Sequence, residues 1–544
     1  MPLQAVSQSQ PSRTQDIDSD IQNLAQVYEG PFGIELYKDK EPKIKLNYIT
    51  SKMALLYEKL RYSVDYKDDH LLRRSAIERI SKRVVSMNRK DPGIIAETLL
   101  HELIRAQYLP NDAIPEDKAK DVANIINKYI TLYDQLGMRY KRNELKEYHQ
   151  FIWEIMAAEI EESIIPPIRE DALVETLYRI VKPRIDIRNF PATDKERNIQ
   201  IYIAIHRNII KSDETLLRYY LFKFYFPNWD GTQTDVIMKV ADNFPKLVHA
   251  ISHQIKHPLG EILQKRLHNL SVYFLILNDL FAENRDHLKR TLSYTNQLED
   301  EIKKAANKRY GNARKKLRRG AIRSVIYIFL TKVIVAVAVE VPYDMFILQE
   351  IHYPSVLINV LFPPFLMALI ILTTRVPKEK NTKKILEGVK KLVYGEEMKP
   401  IVAKFRKSSQ FGSASWIFIN VFYLIIYLIT FGLIIYLLRS LNFSIVSSLL
   451  FILFLTLISF FGIRLRLGAR ELNVLGKREN IFTFIFDLFT LPIIRAGRFI
   501  SLNSRRINFF IFFLDYVIEA PYKFIVSSFE EITSFVRDKK EEVD

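Results

Sequence analysis

Four runs of about twenty apolar residues constrain this chain more than any other feature: Ser324–Tyr343, Pro354–Thr374, Trp416–Leu438 and Ile445–Ile463. A helix rises 1.5 Å per residue, so about twenty such residues match the roughly 30 Å of bilayer hydrocarbon. Lipid offers no hydrogen bonds to an open backbone, which leaves helices or closed barrels, and the runs lack the period-two alternation of barrel strands. The expectation is an all-α fold with four membrane spans, 324–343, 354–374, 416–438 and 445–463, within the segment 321–463.

The segments between the runs alternate in charge. Residues 301–320 hold nine basic and one acidic side chain, 375–415 eleven and four, and 464–480 five and two. Asp344–Tyr353 holds Asp344 and Glu350 with no Lys or Arg, and Arg439–Ser444 holds one Arg. Under the positive-inside rule this pattern puts both termini and the basic loop 375–415 in the cytoplasm. The first twenty residues have no apolar stretch behind a basic head, so no cleavable signal peptide is expected there.

The net charge of +17 has the same origin, because residues 1–300 carry 43 basic and 43 acidic side chains. The excess flanks the spans, where each Lys or Arg gains on the order of 1 kcal/mol from anionic lipid. The expected partner is therefore a bilayer with anionic headgroups. A nucleic-acid partner would call for a basic, aromatic-interleaved face on the soluble part, and none is legible.

Ahead of the spans, residues 45–283 repeat apolar positions at i, i+3, i+4 and i+7, broken by turn signals such as Asp91-Pro92-Gly93 and Pro227-Asn228-Trp229-Asp230-Gly231. They are expected to form a soluble all-helical domain of ten helices, from Tyr48–Tyr66 to Leu259–Ala282, with a split near residue 166 and a kink or division at Pro245. Residues 1–44 read as a disordered or extended tail, and 284–320 as a solvated, basic, polar helical stalk. After the spans, 464–535 carries two short apolar stretches, Ile481–Ile494 and Ile507–Ile518, each with an Asp inside. Such lengths fit interfacial amphipathic or re-entrant helices. Residues 536–544 form a charged tail.

Composition excludes several chemistries. The chain has no cysteine, which removes disulfides, thiolate metal sites and cysteine nucleophiles. It has 16 glycines in 544 residues and neither GxGxxG nor GxxxxGK[ST], so no cofactor is expected on phosphate loops of those kinds. His101-Glu102 begins like HExxH but has Arg105 where the second ligand belongs. His249, His253 and His257, spaced four and four, would share one helical stripe and are the metal candidates, although no carboxylate partner is legible beside them.

Polar residues inside the spans remain. Lys332 stands mid-span in the first run and Glu340 near its outer end. A charge at mid-membrane costs at least about 2.5–3.5 kcal/mol, so such residues face protein or water rather than lipid. Asn359 and Asn420 can join helices by hydrogen bonds. Pro363-Pro364 removes two backbone donors and is expected to break or kink the second span. These features lead to a membrane-anchored scaffold or assembly component whose cytoplasmic domain holds protein partners. Two other readings stay open, a channel or transporter using Lys332 and the proline break, and a membrane enzyme on lipid-linked substrates.

Overall fold

The computed structural model describes residues 16–40, 42–46, 69–88, 91–230, 234–374, 376–404, 413–476 and 481–504. It is almost wholly helical, and its residues separate into two compact units, each described by itself. The helix expected over 48–66, the apolar stretch 507–518 and the tail 536–544 lie outside the described residues.

The first unit is a helical body formed by residues 16–293 with the strand segment after 393. Its helices are α1 (Ser19–Glu29), α2 (Asp69–Asn88), α3 (Pro92–Arg105), α4 (Lys118–Arg139), α5 (Arg142–Ile164), α6 (Ile168–Val181), α7 (Asp194–Ile209), α8 (Glu214–Tyr225), α9 (Thr234–Ile255), α10 (Pro258–Glu283) and α11 (Leu288–Ser293). Their ends follow local chemistry. Thr193 and Glu196 form a reciprocal capping box on α7, and the Asp213 side chain accepts from the Leu216 amide at the start of α8.

One apolar core runs from Tyr37 to Ile255 and includes residues on both sides of Pro166-Pro167, so the body does not divide near residue 166. Pro245 sits inside an undivided α9. Strands β1 (Ile185–Arg188) and β2 (Ile401–Lys404) pair in parallel, Ile185 against Ile401, within the body.

The expected tail over 1–44 is corrected from Asp16 onward. Ile21, Leu24, Ala25 and Tyr28 repeat the i, i+3, i+4, i+7 pattern and are buried, and Asp18 caps the helix they drive. Arg169, buried in α6, donates to the Tyr28 carbonyl at 2.7 Å and fixes the end of α1.

The second unit contains the membrane helices. Here α12 (Thr295–Val335) continues through two π turns, Ala336–Glu340 and Asp344–Leu348. It is followed by α13 (Tyr353–Leu372), α14 (Glu379–Val393), α15 (Ser413–Ser440), α16 (Ile445–Ala469) and α17 (Ile481–Ser504). Among the described residues, four helices are long and apolar enough to cross a membrane: α12 with its extension, α13, α15 and α16. Their large side chains are mostly exposed, as the outer face of a lipid-solvated bundle should be.

The solvated stalk is also corrected. Within the polar part of α12, Leu298, Ile302, Ala305 and Tyr310 are buried, as are Ile385, Val389 and Leu392 of α14. Lys390 binds Glu299 at 2.9 Å, and Asn381 donates to the Tyr310 hydroxyl at 2.9 Å and to the Leu472 carbonyl at 2.7 Å. One apolar stripe amid many charges is enough to pack a helix, and the charge count hid it. The expected basic loop 375–415 accordingly contains α14 and β2.

Candidate functional site

The π turn at Ala336–Glu340 decides the geometry of the one buried charge pair in the membrane unit among the described residues. Eight residues separate Lys332 from Glu340, which overshoots the roughly 7.2 residues of two α-helical turns. A π turn bonds i to i+5 and so takes up the excess, bringing Glu340 onto the face of Lys332. Lys332 Nζ then lies 3.7 Å from Glu340 Oε2, and both side chains are 0% exposed.

Two neighbouring helices close the site. Asn359 of α13, also fully buried, donates through Nδ2 to Glu340 Oε1 at 2.6 Å and to the Ser447 carbonyl of α16 at 3.1 Å. On the other side, the Lys332 ammonium sits 4.9 Å from the centre of the Phe454 ring of α16, within reach of its π face. One turn beyond the pair, Ser355 donates to the carbonyls of Leu441 and Asn442, at 3.0 and 3.1 Å. Three helices thus meet on one polar group in otherwise apolar surroundings.

That group keeps hydrogen-bonding capacity in reserve. Lys332 Nζ, Glu340 Oε2, Asn359 Oδ1 and the nearby Asp344 Oδ1 are buried and make no hydrogen bond. The charges are paired by attraction alone, at a separation where 332/(ε·r) gives about 4–5 kcal/mol for an effective dielectric near 20.

Of the residues singled out from sequence, Lys332, Glu340 and Asn359 come together here. Asn420 does not join them; it is exposed on α15. Pro363 and Pro364 lie one turn from Asn359, buried inside α13, and the expected break is not there. The two rings deprive the Asn359 and Val360 carbonyls of their usual donors, and α13 nevertheless runs on to Leu372. Ser447, Phe454 and the π turn had no signature in the sequence except the eight-residue spacing of Lys332 and Glu340.

The three candidate histidines are not gathered into one cluster. His249 and His253 are exposed on α9, while His257 lies beyond the helix end as the N-cap of α10, buried. Its ring meets His253 edge-on at 5.6 Å and Phe190 at 5.4 Å, and burial with the nearby His253 holds its pKa below the ordinary histidine value. Among the described residues no three His, Cys, Asp or Glu side chains are placed to hold a metal ion. Glu102, of the partial zinc motif, is ion-paired with Arg83.

The body has its own buried polar group, which sequence reasoning missed. Glu159 accepts from Lys128 Nζ at 2.5 Å, the Tyr129 hydroxyl at 2.6 Å and Trp229 Nε1 at 2.9 Å, and Lys128 also donates to the Trp229 carbonyl at 3.2 Å. Its members come from α4, α5 and the turn after α8, and nothing local links them. Every strong donor and acceptor in it is matched, which marks it as a structural node. Nearby, Arg73 and Arg74 of α2 share Glu161 at 2.9 and 2.8 Å, on the wall of a cavity of about 310 Å³.

No protein-family model, curated protein or solved structure matches this chain.

Proposed function

We propose that this is a membrane-anchored assembly protein: a helical body tethered to a bundle of membrane helices, offering its surface to protein partners. The observation that carries this reading is the closure of the intramembrane group. Lys332, Glu340 and Asn359 are each 0% exposed, and the atoms around them belong to α12, α13 and α16. A buried ion pair completed by a hydrogen bond from a neighbouring helix fixes register between helices, which is the best-attested use of such pairs. In this reading the bundle is a rigid anchor and the basic residues between 303 and 319 rest on anionic headgroups.

A transport reading is favoured by one feature, the four buried polar atoms at this group that make no hydrogen bond. Such atoms are where a cation or proton would be taken up if the helices parted.

One double variant separates the two. With Lys332→Leu and Glu340→Leu together, an anchor keeps its helix packing, and full-length protein purified from its own membranes captures the same proteins as wild type. A solute flux in proteoliposomes that wild type supports and this variant loses would overturn the anchor reading.

A further inference from the structure

Helix α16 can serve as a depth ruler across the bilayer, because its neighbours touch it at successive levels. Near its basic end, a Cβ on Gly320 of α12 would lie 3.8 Å from Leu465 Cδ2, and Gly462 packs under Ile370 of α13. At mid-length, Phe454 faces Lys332. At the opposite end, Ser447 receives Asn359, and the turn before α16 receives Ser355.

Against this ruler α17 lies deep. A Cβ on Gly497 would come within 2.0 Å of the Thr456 carbonyl oxygen and 2.9 Å of Phe460 Cβ, so two helix backbones touch there and only glycine fits. Thr456 is two residues from Phe454, which puts Gly497 at the depth of the buried Lys332. In addition, the Arg495 guanidinium lies 5.2 Å from the ring centre of Tyr423 on α15.

The start of α17 is tied to the basic end. After α16, the Leu472 carbonyl and the Val474 amide both bond Asn381, which also holds Tyr310 of α12, ten residues before Gly320. From Ile481 to Gly497 the helix climbs about 24 Å, and the remaining residues to Ser504 add about 10 Å. Phe486 and Phe499 are exposed at 66% and 69%, one below and one at the level of Gly497, as lipid-facing side chains would be. Asp487 falls near the basic end, while Arg495 and Arg498 fall near mid-depth and are exposed, so insertion to this depth requires water or a further helix against them rather than lipid.

From this register we infer that α17 is a fifth membrane-embedded helix, antiparallel to α16, and that its end at Ser504 lies on the side of the 344–353 loop. The expectation of an interfacial or re-entrant stretch over 481–494, with everything after the fourth span on the basic side, gives way to an inserted helix. A stretch of 14 residues stops at the charges, but the helix continues through them because Gly497 lets it dock on α16.

The absence of cysteine makes the test clean. Single cysteines at Lys316, Glu350 and Ser504 in the full-length protein are labelled with a membrane-impermeant maleimide in sealed vesicles of each orientation. Ser504→Cys is expected to label with Glu350→Cys and opposite to Lys316→Cys; labelling together with Lys316→Cys overturns the inference. A spin label on Phe499→Cys gives a second, independent reading. Collision with oxygen dominating over a water-soluble nickel chelate, as at Leu449→Cys on α16, supports insertion, and the reverse overturns it.

Discussion

Removing Glu340 should cost far more than removing both partners of its ion pair. In Glu340→Leu the Lys332 ammonium stays fully buried with only the Phe454 ring, 4.9 Å away, as partner, and Asn359 loses its 2.6 Å acceptor. Breaking a buried pair from one side typically costs about 3–5 kcal/mol. Lys332→Leu leaves the Glu340 carboxylate with the Asn359 donor and should cost somewhat less, about 2–4 kcal/mol. In the double variant no charge remains, Asn359 keeps the Ser447 carbonyl, and leucines fill comparable space, so the loss should be within about 1–2 kcal/mol. The coupling in the cycle is then several kcal/mol, in line with the 3.7 Å separation. The assay is SDS titration of full-length protein in mixed micelles, read by alkylation of a reporter cysteine at Met367, which is fully buried on α13. Additive effects, or a double variant as unstable as Glu340→Leu, would refute the picture of a sealed pair.

In the body, Glu159→Gln leaves Lys128, 4% exposed, without its counter-ion and should destabilise by about 3–5 kcal/mol; loss of less than 1 kcal/mol in denaturant titration followed by near-UV circular dichroism would contradict it. His206 is 1% exposed and burial pushes its pKa from 6.5 down to about 3, so the folded state stays neutral where the unfolded chain takes up a proton. Stability from this group is present above about pH 6.5 and is lost as pH falls toward 3, a slope that His206→Gln should flatten in unfolding midpoints measured between pH 7 and 4. Asp171 works in the opposite sense: desolvation and Glu162 raise its pKa from 3.8 to about 6, so Asp171→Asn should stabilise the body at pH 7 and lose that advantage below about pH 4. Asn381→Ala removes the side chain joining Tyr310, Leu472 and Val474 and should cost about 2–3 kcal/mol in the same SDS titration, with faster proteolysis between α16 and α17 as a second readout.

Periodicity carried much of the fold. Helix α10 ends within one residue of its expected limits, 259–282, because apolar spacing and caps are local signals. The misses share a cause. In α1 and the polar half of α12 a narrow buried stripe was outweighed by surrounding charge, and in α17 three charged residues masked a helix of 24 residues. Composition averages over faces, whereas packing uses only one of them.

The chain by itself determined that four helices can enter a membrane, that Lys332, Glu340 and Asn359 are too polar for lipid, and that the excess positive charge belongs beside the spans. Those conclusions depend on solvation, which each residue or short segment carries with it. Tertiary structure alone decided that the three polar residues share one site, through a π turn and a carbonyl on α16, and that Gly497 admits α17 to the bundle. Both depend on distances between segments far apart in sequence, and side-chain chemistry does not fix such distances until the helices have docked.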